Sequence, residues 1–312
     1  MDTLAVVLEE PERLSLRRLD LQDANAEDVV VKIDWSGIST GTERLLWSGR
    51  MPPFPGMGYP LVPGYESVGR VVDAGAGARD RIGERVFVPG SSGFKDARGL
   101  FGGAARRVVA PSARVVSISD DLAERGVLIA LAATARHAIA AGRDAPDLIV
   151  GHGVLGRLLA RITIAEGHAA PTVWDTNAER LTGGEGYQVV HPEADARKDY
   201  RAIYDASGDS KLLDTLIARL ARGGEVVLAG FYDQPLSFSF PPAFMREARL
   251  RVATEWAPED LAATVALIDS GRLSLDGLIT HRLSAIQAQD AYRTAFTDMS
   301  CLKMILDWRG CC

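Results

Sequence analysis

The densest chemical signal in the 312-residue chain is Gly151-His152-Gly153-Val154-Leu155-Gly156. It follows the apolar run 147–150 and opens the apolar, helix-patterned stretch 156–166. A bare GxGxxG spacing matches many loops by accident, but strand, glycines and helix in this order are what a dinucleotide pyrophosphate needs. The first glycine permits a tight turn, the second admits the pyrophosphate close to the backbone, and the third lets helix and strand pack. The N–H groups that open the helix, at Val154 and Leu155, are then offered to the anion. Asp175 ends the next apolar run, 19 residues past Gly156. A carboxylate there accepts hydrogen bonds from a ribose 2′-hydroxyl and repels a 2′-phosphate, so NAD rather than NADP is the expected cofactor. Thr176 and Asn177 follow it, and Arg180, the residue that would serve a phosphate, stands five positions late. The other role open to Asp175 is a simple cap on the turn after it. Ser207, in Asp205-Ala206-Ser207-Gly208, and Gly230 with Phe231, in Leu228-Ala229-Gly230-Phe231, end later apolar runs. An open parallel sheet binds its ligands at such strand ends.

These residues must be carried by folded elements, and the chain is long enough for two domains with a sizeable core. With 47% hydrophobic and 24% charged residues it is neither disordered, collagen-like nor coiled coil. The longest apolar run, residues 127–133, falls far short of a membrane span. A start without a basic segment and long apolar stretch gives no sign of export, and a cytoplasmic location is expected. The net charge of −6 weighs weakly against nucleic acid as a partner. Cys301, Cys311 and Cys312 crowd into the last twelve residues, where they cannot staple a core, and no Cys-x-x-Cys spacing offers a structural zinc site. The first 120 residues read as short β-branched strands, at 29–33, 67–72, 85–88 and 107–109, with a long glycine-rich loop over 90–103. From Leu122 the pattern changes to helices alternating with strands at 147–150, 172–174, 202–204 and 225–229, which fits βαβ crossovers in a parallel sheet. Helical periodicity also covers 212–221, and the tail from Trp256 adds a helix (258–270), a strand (278–283), a helix (286–296) and a last strand (304–308).

This order of motifs resembles the medium-chain dehydrogenase/reductase superfamily nearly end to end. The markers are Pro63-Gly64-Tyr65-Glu66-Ser67-Val68-Gly69, Gly83-Glu84-Arg85-Val86, Ala133-Thr134-Ala135, the glycine fingerprint and Leu278-Ile279-Thr280-His281-Arg282. The resemblance implies an α/β protein: a GroES-like β-rich catalytic domain over 1–125, a Rossmann-type doubly wound parallel sheet domain over 126–256, and a return to the catalytic domain over 257–312. It also exposes a departure. Where zinc-dependent members place cysteine, histidine and cysteine on the catalytic metal, this chain has Ser39, Tyr65 and Ala130, and the four-cysteine structural lobe is missing. A zinc-free enzyme is therefore expected. The segments 35–43, 58–66 and 132–137 resemble the superfamily's bacteriochlorophyll-biosynthesis branch. That likeness implies NAD-dependent oxidation of the C3 1-hydroxyethyl group of a tetrapyrrole pigment to acetyl, and a homodimer is among the expected assemblies. The alternatives are a zinc-free quinone or enoyl reductase using NADPH, against which Asp175 argues, and a nucleotide-binding protein without chemistry of its own.

Oxidising a secondary alcohol removes a hydride from carbon and a proton from oxygen; zinc assists by acidifying the bound hydroxyl, as it lowers the pKa of water from about 15.7 to about 7. Without it another group must handle the proton, and the conjugated ring of a pigment can spread the positive charge left by the departing hydride. The proton candidates are His137, Tyr65, Ser39 and Thr42. Histidine is the usual acid or base near neutral pH, and Thr134, one helical turn before His137, shares its expected face and joins the cofactor set. The bland role for His137 is a backbone-satisfied histidine; for Tyr65, a packed aromatic; for Ser39 and Thr42, turn formation. Glu66 is expected to organise the domain junction, His152 to be a spacer with its side chain near the phosphates, His168 and His191 to lie on the surface, and His281 to be structural. The proline-stiffened stretch 51–57 either lines a pocket mouth, makes a dimer contact or simply packs.

Overall fold

The computed structural model describes residues 1–53 and 55–311, so Phe54, inside the proline-stiffened stretch, and Cys312 lie outside the described residues. The chain divides into two compact units, Met1–Ala130 with Leu275–Cys312, and Leu131–Ser274. Both boundaries fall later than the expected 125/126 and 256/257, for identifiable reasons. A Cβ on Gly126 would stand 2.8 Å from Val68 and from Ile118, which keeps this segment on the first unit. The helix Pro258–Asp269 is held to the second unit by Asp260, which bonds both Arg136 and His137.

In the first unit the strand Asp28–Ile38 organises the sheet. Valines and isoleucines bury most of its length, and it pairs antiparallel with Ser67–Ala74, Arg107–Pro111 and the return strand Met304–Asp307. Met304 lies opposite Ile38 and Asp307 opposite Trp35, so the end of the chain completes the sheet begun near its start. Beyond these lie Arg85–Val88 and Val116–Ser117 on one side and His281–Ser284 on the other. An N-terminal hairpin, Asp2–Glu10 with Arg13–Asp20, closes over the same core, which includes Val6, Val31, Leu61, Val108, Tyr292 and Trp308.

The second unit is a six-stranded, wholly parallel sheet in the spatial order Gln188–Val190, Thr172–Trp174, Leu148–Val150, Tyr200–Asp205, Leu220–Leu228, Arg249–Val252. In chain order within the unit this is 3-2-1-4-5-6, the doubly wound arrangement, and its direction of progression reverses between Leu148–Val150 and Tyr200–Asp205. Helix Leu213–Arg219 is shorter than its periodicity suggests, because the chain turns extended at Leu220 to begin the fifth strand. No helix among the described residues is long and apolar enough to cross a membrane.

Candidate active site

The glycine loop sits at the reversal point of the parallel sheet. Gly151, at the end of Leu148–Val150, has φ +96°, a backbone a side chain rarely tolerates, and donates its N–H to the Trp174 carbonyl at 2.8 Å. A Cβ on Gly156 would lie 1.8 Å from the Gly151 carbonyl oxygen, so only glycine lets helix Val154–Ala165 pack on the loop. Gly153 caps that helix without a side-chain partner, leaving the first backbone N–H groups, at Val154 and Leu155 onward, as an anion cradle. Ser207 belongs to the same place: a Cβ on Gly151 would stand 3.2 Å from its backbone nitrogen. The Asp175 carboxylate accepts the His152 N–H at 2.7 Å with one oxygen and the Asn177 N–H at 2.8 Å with the other. It therefore caps its own turn and is also tied to the fingerprint. Thr176 is exposed, and the Asn177 side chain accepts the Glu179 N–H. Thr134 is half-buried on helix Ile129–Ala140.

Asp205 is the hub that sequence reasoning missed. Its carboxylate accepts the Ser207 N–H and hydroxyl at 2.9 and 2.6 Å and the Tyr232 hydroxyl at 2.9 Å, while its carbonyl accepts the Gly230 N–H at 2.9 Å. The strand-end turns carrying Ser207, Gly230 and the half-exposed Phe231 thus hang on one buried acid, whose pKa burial pushes up. Its place in the short Asp-Ala-Ser-Gly turn was the available signal.

Two histidines depart from expectation. His152 is fully buried rather than near the phosphates: Nδ1 lies 2.6 Å from the Arg180 carbonyl oxygen and Nε2 2.8 Å from the Tyr187 hydroxyl. A carbonyl only accepts, so Nδ1 carries the proton and Nε2 accepts from Tyr187. Burial drives the imidazole down to about 4, and it stays neutral. Arg157 braces the loop behind it through the His152, Thr182 and Gly183 carbonyls. His137 is engaged by a carboxylate instead of a backbone carbonyl, its Nδ1 2.7 Å from Asp260 Oδ2, while Arg136 holds Oδ1 at 2.6 Å. His168 is exposed, His191 caps the turn Pro192–Ala194, and His281 bonds the Thr280 hydroxyl.

In the first unit the hydroxyl candidates converge. Ser39, just past the strand Asp28–Ile38, has its Oγ 2.6 Å from Tyr65 Oη. Thr42 opens the short helix Thr42–Trp47, and its side chain acts to lower the Tyr65 pKa. Burial and the adjacent Glu66 push the phenol above its ordinary range, against the opposing influence of Ser39 and Thr42, so Tyr65 is a neutral hydroxyl. Ser39 and Tyr65, at two of the positions where zinc ligands were expected in metal-dependent relatives, are thus in contact, and Ala130 is buried. Among the described residues no group of three His, Cys, Asp or Glu side chains is disposed to hold a metal ion.

Beneath the hydroxyls lie three buried charged side chains. Glu66 receives Lys303 Nζ on both oxygens, at 2.9 and 2.7 Å, and the same ammonium donates to the Ile38 carbonyl at 3.2 Å. A Cβ on Gly37 would stand 2.2 Å from Glu66 Oε2, which explains that glycine. Glu43 accepts the Ser39 N–H at 3.0 Å and the Tyr292 hydroxyl at 2.6 Å, and burial pushes it up to about 7. Glu43, Tyr292 and Lys303 escaped sequence reasoning; the only local signal was an acid, Glu43, among small hydroxyl and apolar residues. Met51 and Met57 pack against this unit's core.

Residues 25–120 match the alcohol dehydrogenase GroES-like domain. The chain is 60% identical to 2-desacetyl-2-hydroxyethyl bacteriochlorophyllide A dehydrogenase of Cereibacter sphaeroides, over 99% of both chains. It is 58% identical to the protein of the same name from Rhodobacter capsulatus, again over 99% of both. Among solved structures, a short chain alcohol dehydrogenase from Escherichia coli complexed with NADH superposes with TM-score 0.84 at 21% identity, covering 98% of this chain and 99% of that one. A protein from Sinorhizobium meliloti bound to NADP superposes with TM-score 0.82 at 20% identity, covering 99% and 100%. At these identities the superpositions establish the shared fold.

Proposed function

The chain belongs to the 2-desacetyl-2-hydroxyethyl bacteriochlorophyllide A dehydrogenases, and from that premise we propose that it oxidises the C3 1-hydroxyethyl group of a bacteriochlorophyllide to acetyl with NAD⁺ and without zinc. When bound, the nicotinamide cofactor supplies the hydride acceptor. The chain's residues fit it: the Gly151–Gly156 loop and the uncapped N-terminus of Val154–Ala165 suit the pyrophosphate. Asp175, oriented by two backbone N–H groups, suits a ribose diol and disfavours a 2′-phosphate. Thr134, Ser207, Gly230 and Phe231 complete the cofactor set, with Thr176 and Asn177 beside the ribose.

The observation that carries the metal-free chemistry is the 2.6 Å contact between Ser39 and Tyr65. Two neutral hydroxyls in contact accept a hydrogen bond from an alcohol and relay its proton, each giving up its own proton as it takes one, so that the proton leaves to solvent water at the far end and neither hydroxyl keeps a charge. Thr42 steadies Tyr65 in this role. His137, its Nδ1 held by Asp260, stays the histidine candidate for taking the proton through Nε2. Positive charge developing on a carbon attached to a conjugated macrocycle spreads into the ring, which takes over the electrophilic help a metal gives elsewhere. The same reading includes a cytoplasmic location and a homodimer, for which the exposed Leu250 and Val252 of the edge strand Arg249–Val252 are the support.

The test mixes purified protein, 1-hydroxyethyl bacteriochlorophyllide and NAD⁺ under metal chelation and follows the pigment's long-wavelength absorption. Turnover is expected to persist with chelator, and Ser39→Ala or Tyr65→Phe to lower kcat by about 10². Activity abolished by chelator and restored by zinc overturns the metal-free mechanism.

A further inference from the structure

The mechanism above makes no use of Glu43, although this carboxyl lies directly behind the hydroxyl pair. It is fully buried, as are Glu66 and, nearly so, Lys303. The two carboxyls share one ammonium, and Lys303 spends it on Glu66, reaching both of its oxygens. Glu43 is left with neutral donors, the Ser39 backbone N–H on Oε1 and the Tyr292 hydroxyl on Oε2. The first of these bonds fixes the backbone of the residue whose Oγ meets Tyr65.

We infer that Glu43 is the titrating positioning residue of the alcohol site: it holds Ser39, and through Ser39 the Tyr65 hydroxyl, and its charge state sets the pH dependence of oxidation. This rests on the assignment of Ser39 and Tyr65 as the proton-handling pair. The groups facing Glu43 are Tyr65 and Glu66 from one segment, Lys303 just before the return strand and Tyr292 from helix Ala288–Thr297. Burial is the largest influence on its pKa and raises it; the bonds from Tyr292 and Ser39 oppose it, Glu66 adds to it, and Lys303 counters it. The balance places its titration at about 7, inside the working range of an enzyme. Ionised, Glu43 strengthens its grip on the Ser39 N–H and keeps Tyr65 a neutral hydroxyl, and its negative charge favours a site that gains positive charge as hydride departs. Protonated, it loses these effects. Oxidation is therefore faster above the Glu43 titration than below it.

Infrared difference titration of the protein without cofactor or pigment reads Glu43 directly. A protonated-carboxyl band is expected to vanish with a midpoint of about 7 and to be absent from Glu43→Gln, which retains hydrogen-bonding atoms but cannot ionise. Tyr292→Phe removes a donor to the charged form and is expected to move the midpoint upward by about one pH unit. In steady-state assays Glu43→Gln loses the corresponding inflection in kcat. The inference is overturned by a band that persists in Glu43→Gln or by a kcat inflection unchanged in that variant. Should Glu43→Gln fail to fold, an unmoved midpoint in Tyr292→Phe overturns it equally. Full activity in both Ser39→Ala and Tyr65→Phe would instead defeat the proton-pair assignment while leaving the infrared titration of Glu43 as found.

Discussion

Lys303 reaches Glu66 across 237 residues of sequence, and both ends of this ion pair are out of water. Desolvating two charges costs several kcal/mol each, so the pair is less a source of stability than a structure that fails when one partner is removed. Burial raises the Glu66 pKa and Lys303 opposes it, which states the same dependence in terms of protons. Lys303→Met leaves a buried carboxyl without its cation and is expected to cost about 3–5 kcal/mol, read as a lower urea midpoint. Adding Glu66→Gln to that variant should recover a large part of the loss. A single variant as stable as the parent, or a double variant no better than the single, would refute the pairing. Of this cluster only Glu66 stood out in the sequence, through its neighbours Gly64 and Tyr65. Lys303 and Tyr292 lie in ordinary strand and helix patterns, and nothing local reveals that they meet Glu66 and Glu43 once the tail folds back.

The helix Pro258–Asp269 carries in its first turn a residue with three partners. Asp260 accepts the Ala257 N–H at 3.0 Å and binds His137 and Arg136 on the facing helix. Burial alone would raise this carboxyl, yet the Ala257 N–H, His137 and Arg136 outweigh it and hold Asp260 below the ordinary carboxylate range. A depressed folded-state pKa means that the stabilisation is present above the unfolded value, about 3.9, and is lost as pH falls through the lower folded value. Asp260→Asn is accordingly expected to lower the melting temperature at neutral pH and to flatten its decline in acid. A parallel decline in the two proteins would show that Asp260 is not a source of the acid sensitivity. Elements of this kind were legible when long and periodic. Helices Val154–Ala165 and Pro258–Asp269 and the strands either side of the glycine loop stand where the apolar spacing puts them. Thr42–Trp47, at six residues, is too short to show a period, and Gly41 before it gives no capping signal. The strand His281–Ser284 starts later than the apolar run 278–283, because Leu278 is spent on the core and pairing with Met304 begins at His281.

Over the whole molecule 41 acidic residues outnumber 35 basic ones, so an anionic dinucleotide approaches a net charge of like sign. At physiological ionic strength that repulsion is screened beyond about 8 Å, and local groups decide the outcome. Those groups favour the anion: the uncapped start of Val154–Ala165, the buried Arg157, and Arg180, whose guanidinium lies 3.9 Å from where a Gly153 Cβ would be. Asp175 is the local exception, and under the proposed function its charge works against a cofactor with a phosphate on the adenosine ribose. A ligand that binds only the folded chain stabilises it by about 2.7 kcal/mol at a hundredfold excess over its Kd. NAD⁺ is therefore expected to raise the melting transition by several degrees, with NADP⁺ well behind at equal concentration. Asp175→Ser should narrow that gap chiefly by strengthening the NADP⁺ response, because it removes the repelling carboxylate while Arg180 stays in place. Equal shifts with the two cofactors in the parent protein would show that Asp175 serves the turn at Asn177 and not the choice of cofactor.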